Sequence, residues 1–204
     1  MTPPNKRDRL IDAAAALFHK KGVSATSLAD IAKEADIPIG NVYYYFKAKE
    51  DLALAAVAKL KEQYVALFTT LDDGIEDPRE RLIQAISIYH SLRDDFTRYG
   101  CPIGKIVLDA EADSTHIAKA AAEVFATYLH WMEQQFRLLG HSEQASVYAA
   151  SVLSAIQGAI ILAKSLSKPD IISQEITRLS SFIEQLPNKR IQLGKAAMRT
   201  TTAA

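Results

Sequence analysis

The sequence predicts an all-α fold in two parts: a small head of short helices and a larger bundle of long ones. Three observations lead there. Alanine and leucine are abundant and β-branched alternation is absent; apolar residues recur at intervals of three and four; Gly and Pro punctuate the chain at helical lengths. A chain of 204 residues can bury a core of its own. Its 49% hydrophobic and 24% charged residues are globular values, which argues against general disorder.

The elements follow in order. A first helix is expected from about Asn5 to Lys21, with Leu10, Ala13, Ala14, Leu17 and Phe18 on one face and Gly22 as its stop. Ser27 and Asp30 form an S-x-x-D capping signal for a short helix ending near Ala35. After "DIP" a second short helix carries Tyr43, Tyr44 and Tyr45, and "KAKEDL" opens a longer one that ends before "DDGIEDP". Pro78 opens a helix predicted to reach Tyr99, and Gly100-Cys101-Pro102 starts a short one. Ser114 is expected to cap a long helix ending at Gly140, followed by helices over Ser142–Ser167 and Asp170–Leu186. The expected domains are 5–65 and 66–187, with 188–204 as a disordered tail because apolar periodicity is lost there.

Composition narrows the function. A formal net charge of zero argues against polyanion binding by the whole surface but leaves room for a local basic patch. One cysteine excludes an internal disulfide framework and fits a reducing compartment. "MTPPNKRDRL" has no apolar stretch after its charges, so no secretory signal is expected. The apolar run Tyr148 to Lys164 is short for a span and is interrupted by Ser151, Ser154 and Gln157. No membrane partner is expected, and the predicted location is cytoplasmic.

Three short helices, the last two joined by a tight turn, suggest a helix-turn-helix. In such a unit Ile31, Ala32 and Ala35 must meet Val42 and Phe46, which lie four apart and share a face. Gly40 costs about 1 kcal/mol of helix propensity relative to alanine. That cost is easiest to understand where a DNA strand approaches closely.

The stretch "TSLADIAKEADIPIGNVYYYFKAKEDL", Thr26 to Leu52, resembles the DNA-binding signature of the TetR family of transcriptional regulators. Ile31, Ala32, Ala35, Gly40, Tyr43, Phe46, Lys49, Glu50 and Leu52 match its fixed positions. Asp36 replaces the usual turn glycine, Tyr45 the common histidine and Ala48 the serine. Asp tolerates a left-handed conformation better than most residues, so the turn is expected to survive.

The resemblance implies that the tyrosine-bearing helix enters the major groove of a double-stranded DNA operator. Carried over residue by residue, it puts Ile39, Gly40, Asn41, Tyr43 and Tyr44 on the DNA face, and Ser27 is expected to join them. The neighbouring charge is read from Lys47 and Lys49 just after the helix and Lys6, Arg7 and Arg9 leading into the first one, with a solvated face as the competing account. Successive residues turn by about 100°, so Tyr45 is expected to be partly packed. Asn41 is the best base contact, since its amide can pair with an adenine edge. The helix starts near Ser27 and Lys49 are expected to add backbone donors for phosphate. Tyr43→Phe should weaken binding without changing its salt dependence, and Lys49→Ala should lower the salt slope by about one.

The last two helices are expected to form a homodimer. "YAASVLSAIQGAIILAK" sets small Ala150, Ser154, Gly158 and Ala159 among Val152, Leu153, Ile156, Ile160 and Ile161, apolar on more than one face. The middle helices are expected to form the pocket for an apolar or aromatic small-molecule inducer, with Tyr64, Phe68, Tyr89, Phe96, Cys101, Ile103, Val107, Phe125, Tyr128, Trp131 and Gln157 as candidates. "YGCPIGKIVLDAEA" with "SAIQGAIILAKS" is similar to the LmrA/YxaF-like branch of the family, where some regulators respond to antibiotics or plant flavonoids.

Cys101 is expected at a helix N-cap, where the dipole and nearby Arg98 and Lys105 favour a thiolate and suggest an oxidant or electrophile sensor. Packing as a small buried residue is the competing account. No catalytic motif is found, and neither a cofactor nor a metal is expected. Asp109, Glu111, Asp113 and His116 form the one notable polar cluster; Asp113 and His116, three apart, could share a metal, but acids near a helix start read more readily as dipole partners. The predicted function is a ligand-responsive regulator, most readily a repressor. The alternatives are a chromosome-organising DNA-binding protein without an inducer and a helical small-molecule-binding protein or enzyme.

Overall fold

The computed structural model describes residues 5–109 and 115–187, and every regular element among them is a helix. In chain order these are α1 (Lys6–Lys21), α2 (Leu28–Glu34), α3 (Ile39–Tyr45), α4 (Lys49–Gly74), α5 (Pro78–Ser91), α6 (Arg93–Tyr99), α7 (Pro102–Asp109), α8 (Thr115–Leu138), α9 (Ala145–Leu166) and α10 (Asp170–Gln185). Contacts divide the chain into two compact units. One combines the residues up to Val65 with Arg98–Thr127, and the other combines Ala66–Thr97 with Tyr128 onward. The divisions fall inside α4, α6 and α8.

The first unit is built on α1. The Asn5 side chain accepts the Asp8 N–H at 3.0 Å, which caps the helix. Leu10, Ile11, Ala13, Ala14, Leu17 and Phe18 are buried along one stripe. Gly22, at φ 94°, ends the helix with its N–H on the Phe18 carbonyl. Residues of α7 then fasten that end. Lys105 donates from Nζ to the carbonyls of His19 (3.3 Å) and Lys20 (3.1 Å), a cation at the negative end of α1. His19 Nε2 donates to the Gly100 carbonyl at 2.8 Å. The positive φ favours glycine there, and the Asp109 carboxylate packs where a Cβ on Gly22 would stand and would have to move aside for one.

In the second unit α10 packs against α5 and α9 through buried Ile172, Ile176, Leu179 and Ile183. Arg79, in the first turn of α5, donates to the carbonyls of Ile183 (2.6 Å), Glu184 and Leu186 (2.7 Å), which closes the C-terminus of α10. His141, itself buried, adds a donation from Nε2 to the Pro187 carbonyl at 2.8 Å. Helix α9 is long and apolar enough to cross a membrane by length and composition alone. Here it buries Ala149, Val152, Leu153, Ile156, Ala159, Ile160 and Ala163 inside the protein.

Three boundaries differ from expectation. Helix α4 runs on through Asp72 and Asp73 to Gly74 rather than ending before them. The helix expected from Pro78 to Tyr99 is two helices, broken at Leu92 (φ −103°, ψ 16°). Asp94 and Asp95 fall in the first turn of α6, where carboxylates favour a fresh helix start. Helix α9 begins at Ala145 rather than Ser142, because residues 142–144 form turns in which the Gln144 N–H bonds to the His141 carbonyl. The expected cap at Ser114 and the tail 188–204 lie outside the described residues.

Candidate nucleic-acid interface

The head is built as the helix-turn-helix logic requires. Ile31, Ala32 and Ala35 are buried, and so are Val42 of α3 and Phe46, the residue that caps its C-terminus. The turn between α2 and α3 is closed by the Ile37 N–H on the Ala32 carbonyl (2.9 Å) and the Asp36 N–H on the Lys33 carbonyl (3.1 Å). Asp36 takes the left-handed conformation at φ 51°, in place of a glycine.

With Val42 and Phe46 turned inward, α3 presents Ile39 (43% exposed), Tyr43 (53%) and Tyr44 (76%) to solvent, values high enough to make this its outward face. Tyr45 is half-buried, and its ring stands edge-on to that of Tyr44 at 4.9 Å. Asn41 is half-buried too. A Cβ on Gly40 would meet nothing within 4 Å, so nothing inside the chain demands a glycine there.

The flanking polar groups are less available than the sequence suggests. Ser27 closes a capping box: its Oγ accepts the Asp30 N–H (3.1 Å) and donates to Asp30 Oδ2 (2.8 Å), and the same carboxylate accepts the Ser27 N–H (3.0 Å). These bonds from Ser27, first the backbone N–H and then the hydroxyl, hold the Asp30 carboxyl below its ordinary range. At the start of α4 the Asp51 carboxylate accepts the Ala48 N–H at 3.0 Å. One backbone donor at each helix start, the Ser27 N–H and the Ala48 N–H, is thus already taken by an acid of the chain itself.

Among the cations, Lys49 donates to the carbonyls of Val23 (2.9 Å) and Ser24 (3.4 Å), and Lys47 to that of Tyr43 (3.2 Å). Arg9 turns to the carbonyls of Ala35 and Asp36, and Arg7 stacks over the Phe46 ring at 5.3 Å. Lys47 is exposed and commits one bond, which leaves it the better placed of the two lysines for an external anion.

Several of the ligand-pocket candidates form a closed aromatic cluster in the second unit. Phe68 stacks on Trp131 at 4.4 Å and meets Tyr128 edge-on at 5.0 Å, and Tyr89 stacks on Phe96 at 5.2 Å. All five are buried. Gln157, on α9, has a buried Nε2 with no partner among the described residues. In the first unit Cys101 and Ile103 are buried, while Tyr64, Val107 and Phe125 are half-buried. Cys101 Sγ accepts the Gly104 N–H at 3.4 Å, so it does cap α7.

A cavity of about 640 Å³ lies elsewhere in the second unit, lined by Asp72, Arg81, Gln134, Gln135, Arg137 and Leu138. Its wall is a polar network that sequence reasoning missed. Asp72 accepts from Trp131 Nε1 (3.0 Å) and Gln135 Nε2 (3.1 Å), and Arg81 reaches Gln135 Oε1 (3.3 Å). Partners some sixty positions apart leave no local signal. Of the expected polar cluster, Glu111 and Asp113 lie outside the described residues, and His116 Nδ1 faces Glu50 at 3.5 Å. Among the described residues no three His, Cys, Asp or Glu side chains gather to hold a metal.

Comparison with known proteins agrees with this architecture. Residues 10–56 match the family profile described as bacterial regulatory proteins, tetR family. Residues 80–174 match that of the LmrA/YxaF-like transcriptional regulator C-terminal domain. The chain is 28% identical over 191 residues to the HTH-type transcriptional regulator LmrA of Bacillus subtilis, covering 91% of this chain and 98% of that one. It is 26% identical over 186 residues to YxaF of the same organism, covering 90% and 94%. Its fold is similar to that of a TetR transcriptional regulator from Legionella pneumophila, with a TM-score of 0.80 at 22% identity over 91% of this chain and 98% of the other. A regulator from Chloroflexus aurantiacus gives 0.75 at 23% identity, over 88% and 94%. With a helix-turn-helix-like head and both parts of the chain matched, the protein belongs to the TetR family of transcriptional regulators, related to its LmrA/YxaF-like branch.

Proposed function

We propose that the protein is a cytoplasmic, ligand-responsive repressor that binds a palindromic operator as a homodimer and is released by a small-molecule inducer. The observation that carries the DNA reading is the split of α3. Val42 and Phe46 are buried in the head, while Ile39, Tyr43 and Tyr44 face outward beside a glycine with open space above it. Such a helix meets the width of a major groove, with Ile39, Gly40, Asn41 and Tyr44 toward base edges. Tyr43 and Lys47 reach phosphates, and Ser27 and Lys49 shape the ends of the surface they border.

A single head reads few base pairs, and affinity comes from pairing two heads on a pseudo-palindrome. The outer face of α9, with exposed Val147, Ile161, Leu162 and Leu166, supports pairing through the last two helices. An apolar or aromatic inducer would enter by opening the cluster of Phe68, Tyr89, Phe96, Tyr128 and Trp131. The unpartnered amide of Gln157 supports a polar anchor for it. Binding there would couple to the head as a free energy shared between two sites.

The test is selection of duplexes from a random-sequence pool by the full-length protein, followed by footprinting. A two-fold symmetric protected site is the expected result, and protection of scattered, unrelated sites would overturn the operator reading. Trp131 is the single tryptophan, so its fluorescence reports the aromatic cluster directly. An inducer is expected to change that emission and to release the selected duplex at the same concentration.

A further inference from the structure

We infer that Arg9 is a positioning residue for DNA binding: it fixes the left-handed turn from which the recognition helix departs. This rests on the DNA-binding reading of α3. The turn carries two handicaps. Asp36 sits at φ 51°, where a side chain is strained and glycine is usual. Its carboxylate also stands at the C-terminus of α2, the negative end of the helix dipole. Arg9 answers both from a different helix. Its Nη2 lies 2.6 Å from the Ala35 carbonyl, 3.2 Å from the Asp36 carbonyl and 3.7 Å from Asp36 Oδ2.

These contacts are unequal. The Asp36 side chain is fully exposed, so the ion pair contributes little in water. The charge-assisted bond to Ala35 is part-buried and short, and it satisfies a carbonyl that the end of α2 leaves without a helical partner. Arg9 is followed directly by Leu10 and Ile11, both buried, so the guanidinium reaches the turn from a fixed base. Ile37, also buried, follows the turn and leads through Pro38 into α3. A shift of this turn therefore moves every outward residue of α3 together. A guanidinium that donates to two backbone carbonyls is engaged inside the head before any DNA is present.

The probe is a duplex selected by the wild-type protein from a random-sequence pool, with affinity measured from about 50 to 200 mM salt. Amide hydrogen exchange of Asp36 and Ile37 is followed in DNA-free protein. Arg9→Ala is expected to lower affinity roughly tenfold with the salt slope unchanged, and to speed exchange at both amides. Arg9→Lys keeps the charge but loses the fork, and is expected to shift both readouts in the same direction by less. A slope lowered by about one per head with exchange unaltered, and wild-type binding by Arg9→Lys, would show a phosphate contact and overturn the assignment. Unchanged affinity in Arg9→Ala would overturn it too. If the wild type itself selects no duplex, the DNA-binding reading falls and this one with it, an outcome visible before any substitution is made.

Discussion

Lys49 donates from Nζ to the carbonyl oxygen of Val23 across 2.9 Å, which ties the start of α4 to the loop after α1. The lysine that sequence reasoning gives to a phosphate thus also holds the head together. Lys49→Ala is expected to cost about 1.5–3 kcal/mol of stability, the range for a hydrogen bond to a charged group, and to leave the salt slope of DNA binding near that of the wild type. Lys47→Ala is expected to do the opposite, lowering the slope by about one per head with little change in Tm. Thermal unfolding and salt-dependent binding of both variants separate the roles, and exchanged outcomes would reverse them.

Tyr43 is 53% exposed beside Lys47, and its hydroxyl is the group that a phosphate would meet. Tyr43→Phe removes one uncharged hydrogen bond, about 0.5–1.5 kcal/mol or roughly a two- to tenfold loss of affinity. The salt slope should not move, because no counterion release is lost with it. A changed slope would mean that the tyrosine acts by orienting a lysine.

Gly40 offers a separation of effects. Nothing inside the chain stands within 4 Å of its missing Cβ, so Gly40→Ala is expected to stabilise α3 by up to about 1 kcal/mol. The same methyl should weaken DNA binding if the helix lies close against the duplex. Higher Tm with unchanged affinity would remove Gly40 from the interface.

The capping box predicts a pH dependence. Ser27 hydrogen bonds hold the folded Asp30 carboxyl below its ordinary 3.8. The bonded carboxylate therefore adds stability that is fully present above that value and is lost as pH falls through the lower folded value. Asp30→Ala is expected to be less stable than wild type at neutral pH, with the gap closing in acid. Chemical denaturation along a pH series measures this, and a gap that widens on acidification contradicts it.

Helix α9 has two apolar faces, and the protein covers one. Ile156 and Ile160 are buried, while Ile161 is 62% exposed and Gly158 has open space over its Cα. Ile161→Glu places a charge on the outer face without disturbing the inner one. Sedimentation is expected to shift toward monomer and operator affinity to fall by a large factor, since two heads would no longer bind as one unit. A variant that sediments as the wild type does would place the pairing surface elsewhere.

What the sequence determined by itself is whatever depends on short spacing. Helix starts and stops were legible in Asn5, Ser27, Pro78 and Gly22, because caps act within one turn. The inward pair Val42 and Phe46 and the left-handed Asp36 were legible for the same reason. Tertiary structure decided where the long cationic side chains end. Arg9 finds carbonyls 26 and 27 positions away, Lys49 finds Val23, and Lys105 finds the end of α1 86 positions earlier. Asp72 joins Trp131 and Gln135 across a similar separation. A flexible charged side chain carries no periodicity that reveals its partner, and the choice between an unpaired backbone carbonyl and an external phosphate depends on which one the packed helices bring within about 3 Å.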